Sequence, residues 1–186
     1  MEGAEYSVSF RLTVIPDIRP PSFQSLYSQS NQLESIHLMK PKAVLTTIPS
    51  DSHNWNLIFI QLFLEESGFE VINLGACVPY ELLEETCRQN NPDTLVVSTI
   101  NGHGFIEGKE LIGRIRSLHS MANTDVFIGG KLSVDVNRSY LYALELEQAG
   151  YTKVYCDNQD FPDFEARLLA TVNRLARQSQ PIPADR

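Results

Sequence analysis

Lys42-Ala43-Val44-Leu45-Thr46-Thr47-Ile48-Pro49-Ser50-Asp51-Ser52-His53 is an apolar, β-rich run that ends in a short loop of hydroxyls, a carboxylate and a histidine. The run has the length and composition of a buried strand. In an open parallel α/β sheet, ligands bind just beyond the carboxyl ends of the strands. A carboxylate two residues before a histidine on such a loop can hold one ring nitrogen and leave the other free for a metal. That is the usual support for a metal-bound imidazole. His53 is therefore the first candidate ligand.

From about Pro41 onward, short β-rich runs alternate with longer helical ones, as βαβ units and a parallel sheet require. Residues 43–48 read as the first strand. Residues 54–67 read as a helix with a broad apolar face (Leu57, Ile58, Ile60, Leu62, Phe63, Leu64), closed by Gly68 in the left-handed position that ends helices. Residues 69–74 alternate as a second strand. Pro79 opens the next helix, where proline is best tolerated, and Leu82, Leu83 and Cys87 form its buried side. Residues 94–100 are a third strand, apolar enough to be buried on both faces. A helix over residues 107–120 leads to a fourth strand at 126–128, which runs into Gly129-Gly130. A helix at 137–149 ends at Gly150. Residues 153–156 form a short edge strand, and residues 163–178 the closing helix. The expected fold is an α/β, doubly wound sheet of five parallel strands, flavodoxin-like, with no internal repeat.

Residues 1–40 fall outside that rhythm. Residues 6–14 alternate (Val8, Phe10, Leu12 and Val14 against Ser7, Ser9, Arg11 and Thr13) and suggest an extra strand. Pro16, Pro20 and Pro21 then break the pattern ahead of a Ser-, Gln- and Asn-rich stretch. The expected organisation is an N-terminal extension over 1–40, a binding domain over 41–178 and a flexible tail over 179–186.

The 186-residue length suits one domain with an appendage. With 15 basic and 23 acidic residues the formal net charge is -8, and no cluster of Lys or Arg offers an electrostatic footprint for nucleic acid or an anionic membrane. The three cysteines, Cys77, Cys87 and Cys156, are scattered without a Cys-x-x-Cys spacing, which argues against a zinc knuckle or redox dithiol and fits reduced thiols in a cytoplasmic protein. No secretory signal is evident, and the apolar runs fall far short of the roughly 20 residues of a membrane span.

Three loops at strand ends have unusual composition: Ser50 to His53, Ser98-Thr99-Ile100-Asn101-Gly102-His103-Gly104, and Gly129-Gly130-Lys131-Leu132-Ser133. Glycines there permit close backbone approach to a bulky ligand, and hydroxyls offer hydrogen bonds. Each loop also has an ordinary explanation, the Gly-Gly as a turn and the Ser-Thr pair as strand padding. His103 has no carboxylate partner of this kind and reads as a loop residue, and His37 and His119 carry no signal.

Together the loops resemble the cobalamin-binding domains that take the cofactor with its own base displaced. Asp51-Ser52-His53-Asn54-Trp55-Asn56 is similar to that family's Asp-x-His-x-x-Gly signature, Ser98-Thr99-Ile100 to its Ser-x-Leu element, and Gly129-Gly130 to its Gly-Gly after the fourth strand. Within the family the chain resembles the small subunits of glutamate mutase, also called methylaspartate mutase, over residues 42–175. The resemblance implies that His53 is the axial ligand of cobalt in adenosylcobalamin, with Asp51 accepting a hydrogen bond from its other ring nitrogen. It implies that Ser50, Asp51, Ser52, His53 and Asn54 line the corrin and that Ser98, Thr99 and Ile100 border the pocket for the displaced base. Gly102 belongs to the same motif set, and Gly129, Gly130, Lys131, Leu132 and Ser133 flank the nucleotide loop.

Two positions depart from that pattern. Asn56 stands where the signature has glycine, and either obstructs the nucleotide tail or hydrogen-bonds to it. Phe105 stands where the mutase small subunits carry an acidic residue. The resemblance implies a cobalamin-carrying subunit of a carbon-skeleton mutase, interconverting glutamate and 3-methylaspartate or a related amino acid, with substrate held by a separate TIM-barrel subunit. The alternative is a non-catalytic cobalamin-binding or cofactor-free interaction module. A corrinoid methyl carrier fits less well, because residues 1–40 are too few and too proline-broken for a helical cap domain.

Overall fold

Every residue of Thr94–Thr99 is buried, as expected of a central parallel strand covered on both faces. A computed structural model of the chain, describing residues 40–156 and 161–178, builds the rest around this strand, β3. Its neighbours are β1 (Lys42–Thr46) and β4 (Asp125–Gly130), with β2 (Glu70–Asn73) and β5 (Lys153–Tyr155) at the edges. The sheet order is β2-β1-β3-β4-β5, and all pairs are parallel. The helices are α1 (Trp55–Glu66), α2 (Tyr80–Asn90), α3 (Gly104–Ser117), α4 (Ser139–Ala149) and α5 (Phe161–Gln178). This is the flavodoxin-like, five-stranded parallel architecture that the alternation of elements implied. The expected strand at residues 6–14 and the tail at 179–186 lie outside the described residues.

Strand periodicity divides the core in two. Val44, Leu95, Val97, Val126 and Ile128 point to the face covered by α2, α3 and α4. Ala43, Leu45, Val96 and Phe127 point to the other, where Leu57 and Leu64 of α1 and Phe164 and Leu168 of α5 cover them. Helix α1 is apolar well beyond this buried side, since Trp55, Ile58, Phe59 and Leu62 are exposed. The sequence pattern could not reveal which side faces inward.

Two boundaries differ from expectation for packing reasons. Helix α3 starts a turn earlier than residue 107, because Gly104 belongs to it. A Cβ there would approach Thr99 Cγ2 to 2.6 Å and Leu132 Cδ2 to 3.0 Å. Strand β4 continues through Gly129 and Gly130, which pair with Ser98 and Thr99. Gly130 has φ +106°, and a Cβ would run into the Thr99 carbonyl oxygen. The chain's own packing thus requires these glycines. Phe105 stacks on Tyr142 at 4.0 Å, giving the departure at that position a role between α3 and α4. Of the cysteines, Cys87 is buried, which pushes its thiol up to about 12. Among the described residues no helix is long and apolar enough to cross a membrane.

Gly130→Ala is expected to lower stability by about 2 kcal/mol or more, from backbone strain and the clash. Gly113→Ala, at an exposed α3 position with no atom within 4 Å of the added Cβ, should instead raise it by about 0.5–1 kcal/mol. Urea unfolding of both variants measures the contrast.

Candidate functional site

The chain moves from β1 to one edge, then reverses to β3, β4 and β5, so the topological switch point lies between β1 and β3. That crevice is where open α/β sheets bind ligands. Asp51 fills it from the loop after β1, fully buried. Its Oδ1 accepts the His53 backbone N–H at 3.0 Å and contacts His53 Nδ1 at 2.6 Å. Its Oδ2 accepts Thr99 Oγ1–H at 2.8 Å, Ile100 N–H at 2.7 Å and Asn101 N–H at 3.3 Å. One carboxylate therefore ties the β1 loop to the β3 loop. Its own backbone is held too, with Asp51 N–H on Ile48 O and Cys77 N–H on Asp51 O.

Burial alone would raise the Asp51 pKa. The hydrogen bonds from the His53 and Ile100 amides, the His53 ring and the Thr99 hydroxyl outweigh it and bring the group down to about 2. The group is then an ionised, acceptor-only carboxylate at neutral pH. Against that acceptor His53 Nδ1 is the donor, which leaves Nε2 as the ring nitrogen turned away from the carboxylate. The His53 side chain is 52% exposed.

Asn101, absent from the candidates read in the sequence, extends the network. Its Nδ2 donates to Ser50 Oγ at 2.8 Å, and its Oδ1 accepts the His103 N–H at 2.9 Å. Ser50 N–H in turn donates to Glu107 Oε2 at 3.0 Å. Ser52 and Asn54 are exposed beside His53, and Asn54 precedes α1 without a side-chain capping bond. His103 precedes α3 in the same way, exposed.

Beside this loop a cavity of about 610 Å³ opens on the α1 and α5 face of the sheet. Ser98, Ile100, Gly129, Gly130, Lys131, Leu132 and Ser133 all line it, so the second and third candidate loops converge there. Thr99, between Ser98 and Ile100, instead turns to Asp51, as strand alternation dictates. Gly102 stays outside the cavity, packed against Val134. The aromatic wall, Phe59, Phe127, Tyr155, Phe161 and Phe164, could not be assigned from sequence, because apolar residues on helices and strands read simply as core. Asn56 also lines the cavity, with Nδ2 donating to Ser98 Oγ at 2.6 Å.

Among the described residues no three His, Cys, Asp or Glu side chains cluster as a metal site. A metal on His53 would have to bring its other ligands with it, as a macrocycle does. An imidazole held by a carboxylate beside a slot walled by aromatic rings fits a corrinoid with a planar base on a flexible tail.

Comparisons with known proteins agree in kind. Residues 41–152 match the B12 binding domain. The chain is 26% identical over 118 residues to the glutamate mutase sigma subunit of Fusobacterium nucleatum, covering 63% of this chain and 86% of that protein. It is 32% identical over 95 residues to the glutamate mutase sigma subunit of Treponema denticola, covering 51% and 68%. Among solved structures, a cobalamin-binding protein from Desulfitobacterium hafniense superposes with a TM-score of 0.54 at 20% identity, covering 77% of this chain and 60% of that one. The monomethylamine corrinoid protein of Methanosarcina barkeri gives 0.54 at 18% identity, covering 73% and 57%. At these identities the structural likeness concerns the fold.

Because the Asp51 pKa falls from 3.8 to about 2 on folding, its stabilisation is complete above about pH 4 and is lost as pH falls from 4 to 2. A shift of that size corresponds to about 2 kcal/mol at neutral pH. Asp51→Asn should cost at least that at pH 7, and its deficit relative to wild type should shrink as pH drops below 4. Urea unfolding of the cofactor-free chain across that range checks the sign.

Proposed function

The chain belongs to the B12-binding-domain family, and from that premise we propose that residues 41–178 form the cobalamin-carrying domain of an adenosylcobalamin-dependent carbon-skeleton mutase. The observation that carries this reading is the Asp51–His53 pair beside the aromatic slot. The carboxylate faces Nδ1 at 2.6 Å, so Nε2 of His53 would hold the cobalt. The displaced base would enter the slot between α1 and α5, among Phe59, Phe127, Phe161 and Phe164. Ser50, Ser52 and Asn54 would border the corrin, and Lys131 and Ser133 would meet the nucleotide loop at the slot.

When bound, adenosylcobalamin supplies homolysis of its cobalt–carbon bond. The chain's own residues bind and orient. Asp51 keeps the imidazole in one tautomer and one rotamer. Thr99 and Ile100 keep Asp51 ionised, and Asn101 helps to fix it in place. The glycines of β4 and α3 bring the loops to their places. Substrate handling belongs to a partner, which the likeness to glutamate mutase sigma subunits supports. We take that partner to be a TIM-barrel subunit that would hold the substrate, and the reaction to be the interconversion of glutamate and 3-methylaspartate or a related amino acid.

A second reading, a non-catalytic cobalamin-binding or cofactor-free interaction module, is favoured by one observation. Asn56 replaces the signature glycine and is bonded to Ser98 at the slot.

His53→Ala should weaken cobalamin binding strongly, and Asp51→Asn by the smaller, roughly 10–100-fold loss typical of residues that support a metal ligand. Titration followed by the cofactor's absorption spectrum measures both, and equal, negligible losses would remove the carrier reading. The chain alone should give no mutase turnover, which should appear only with the TIM-barrel subunit and adenosylcobalamin. Cobalamin binding with no turnover under those conditions would support the module.

A further inference from the structure

The loop that carries Asp51 and His53 is tied down on two sides. On one, the segment after β2 donates Cys77 N–H to Asp51 O at 2.8 Å, and Thr47 Oγ1–H reaches the same carbonyl at 3.2 Å. On the other, the residue just before Asp51 is gripped from α3 and from the end of β3. Ser50 N–H donates to Glu107 Oε2 at 3.0 Å, and Ser50 Oγ accepts Asn101 Nδ2–H at 2.8 Å. Glu107 stands in the first turn of α3, where the helix dipole favours a carboxylate. Its carbonyl accepts the Tyr80 hydroxyl at 3.3 Å, and the Tyr80 ring lies under the Arg114 guanidinium at 4.7 Å. Glu110, about one turn further along α3, pairs with Arg114. Glu107 reaches the loop instead.

The Ser50–Glu107 bond lies at the surface, so it adds little to the stability of the fold. Its placement is what matters. Ser50 is joined directly to Asp51, and Asp51 Oδ1 holds both the backbone N–H and the ring of His53. A shift of Ser50 is therefore passed on to the imidazole. Resting on the cobalamin-carrier reading above, we propose that Glu107 is a positioning residue for His53, acting through the Ser50 amide. It needs no contact with the ligand. It holds the loop in the binding-competent arrangement beforehand, so that binding does not have to order it. Releasing the clamp lowers the competent fraction, and the apparent affinity falls in proportion.

The test uses the full chain and cob(II)alamin. The single tryptophan, Trp55, lies two residues from His53 and is 84% exposed, and its fluorescence gives binding constants without any assay of activity. Glu107→Ala should weaken binding about three- to tenfold, the shift that one hydrogen bond makes in a two-state loop. Glu107→Gln, which keeps an oxygen at the same reach, should recover most of that loss. Glu110→Ala, which removes a carboxylate from the same helix, should bind like wild type. In a His53→Ala background, Glu107→Ala should cost less than about twofold, because the side chain it positions is gone. Electron paramagnetic resonance gives the same reading without that background. The fraction of bound cob(II)alamin showing histidine-nitrogen splitting should fall in Glu107→Ala and return in Glu107→Gln. Wild-type binding by Glu107→Ala, a Gln variant as weak as Ala, an equal loss in Glu110→Ala, a loss undiminished without His53, or an unchanged splitting would each overturn the positioning role and leave the carrier reading standing. Failure of the wild-type chain to bind cob(II)alamin would overturn both.

Discussion

A single buried carboxylate holds the functional end of this molecule together. Asp51 lies where the sheet reverses direction, and its two oxygens gather donors from its own loop and from the end of β3. Without ionisation it would be a buried acid facing N–H and O–H groups that need acceptors, an expensive arrangement. With ionisation every one of those groups is satisfied, and the His53 ring is oriented as a by-product of the same network. The element that joins β1 to β3 is therefore also the element that orients the His53 imidazole. Loop geometry and ligand chemistry cannot be altered independently at this position.

The cavity follows from a second constraint, the division of the core by strand alternation. Ser98 and Thr99 are neighbours on β3 yet serve different compartments, one on the slot and one on the carboxylate. Gly129 and Gly130 continue β4 alongside them, so the sheet's edge toward the cavity is backbone with little side-chain bulk. Helices α1 and α5 cover the remainder of this face, and their phenylalanines make the slot apolar. A polar head at the switch point and an apolar recess beside it suit a ligand with a charged or coordinating centre and a flat, detachable arm.

Much of this was legible in the sequence, for identifiable reasons. Buried parallel strands are apolar without alternation, and β1 and β3 are written that way. Gly68 and Gly150 end helices at positive φ, as their placement suggested. Asp51 and His53 could be paired from spacing alone, because two residues on a tight loop can share one hydrogen bond. Asn101 and Thr99 could not be identified as Asp51's other partners, because that requires knowing that β1 and β3 are adjacent. The Gly-Gly read equally as a turn, and only pairing with Ser98 and Thr99 shows it as strand. The aromatic wall was hidden because Phe59, Phe161 and Phe164 are indistinguishable in sequence from core residues. Asn56 was visible as a departure, and its bond to Ser98 emerged only from the packing of α1 against β3.

The account rests on coordination of cobalt by His53 Nε2. Electron paramagnetic resonance of the chain loaded with cob(II)alamin, prepared with ¹⁵N-labelled histidine, addresses this most directly. The predicted result is hyperfine splitting that changes with the histidine label and is lost in His53→Ala. Splitting that is indifferent to the label, arising from the dimethylbenzimidazole nitrogen, would contradict it.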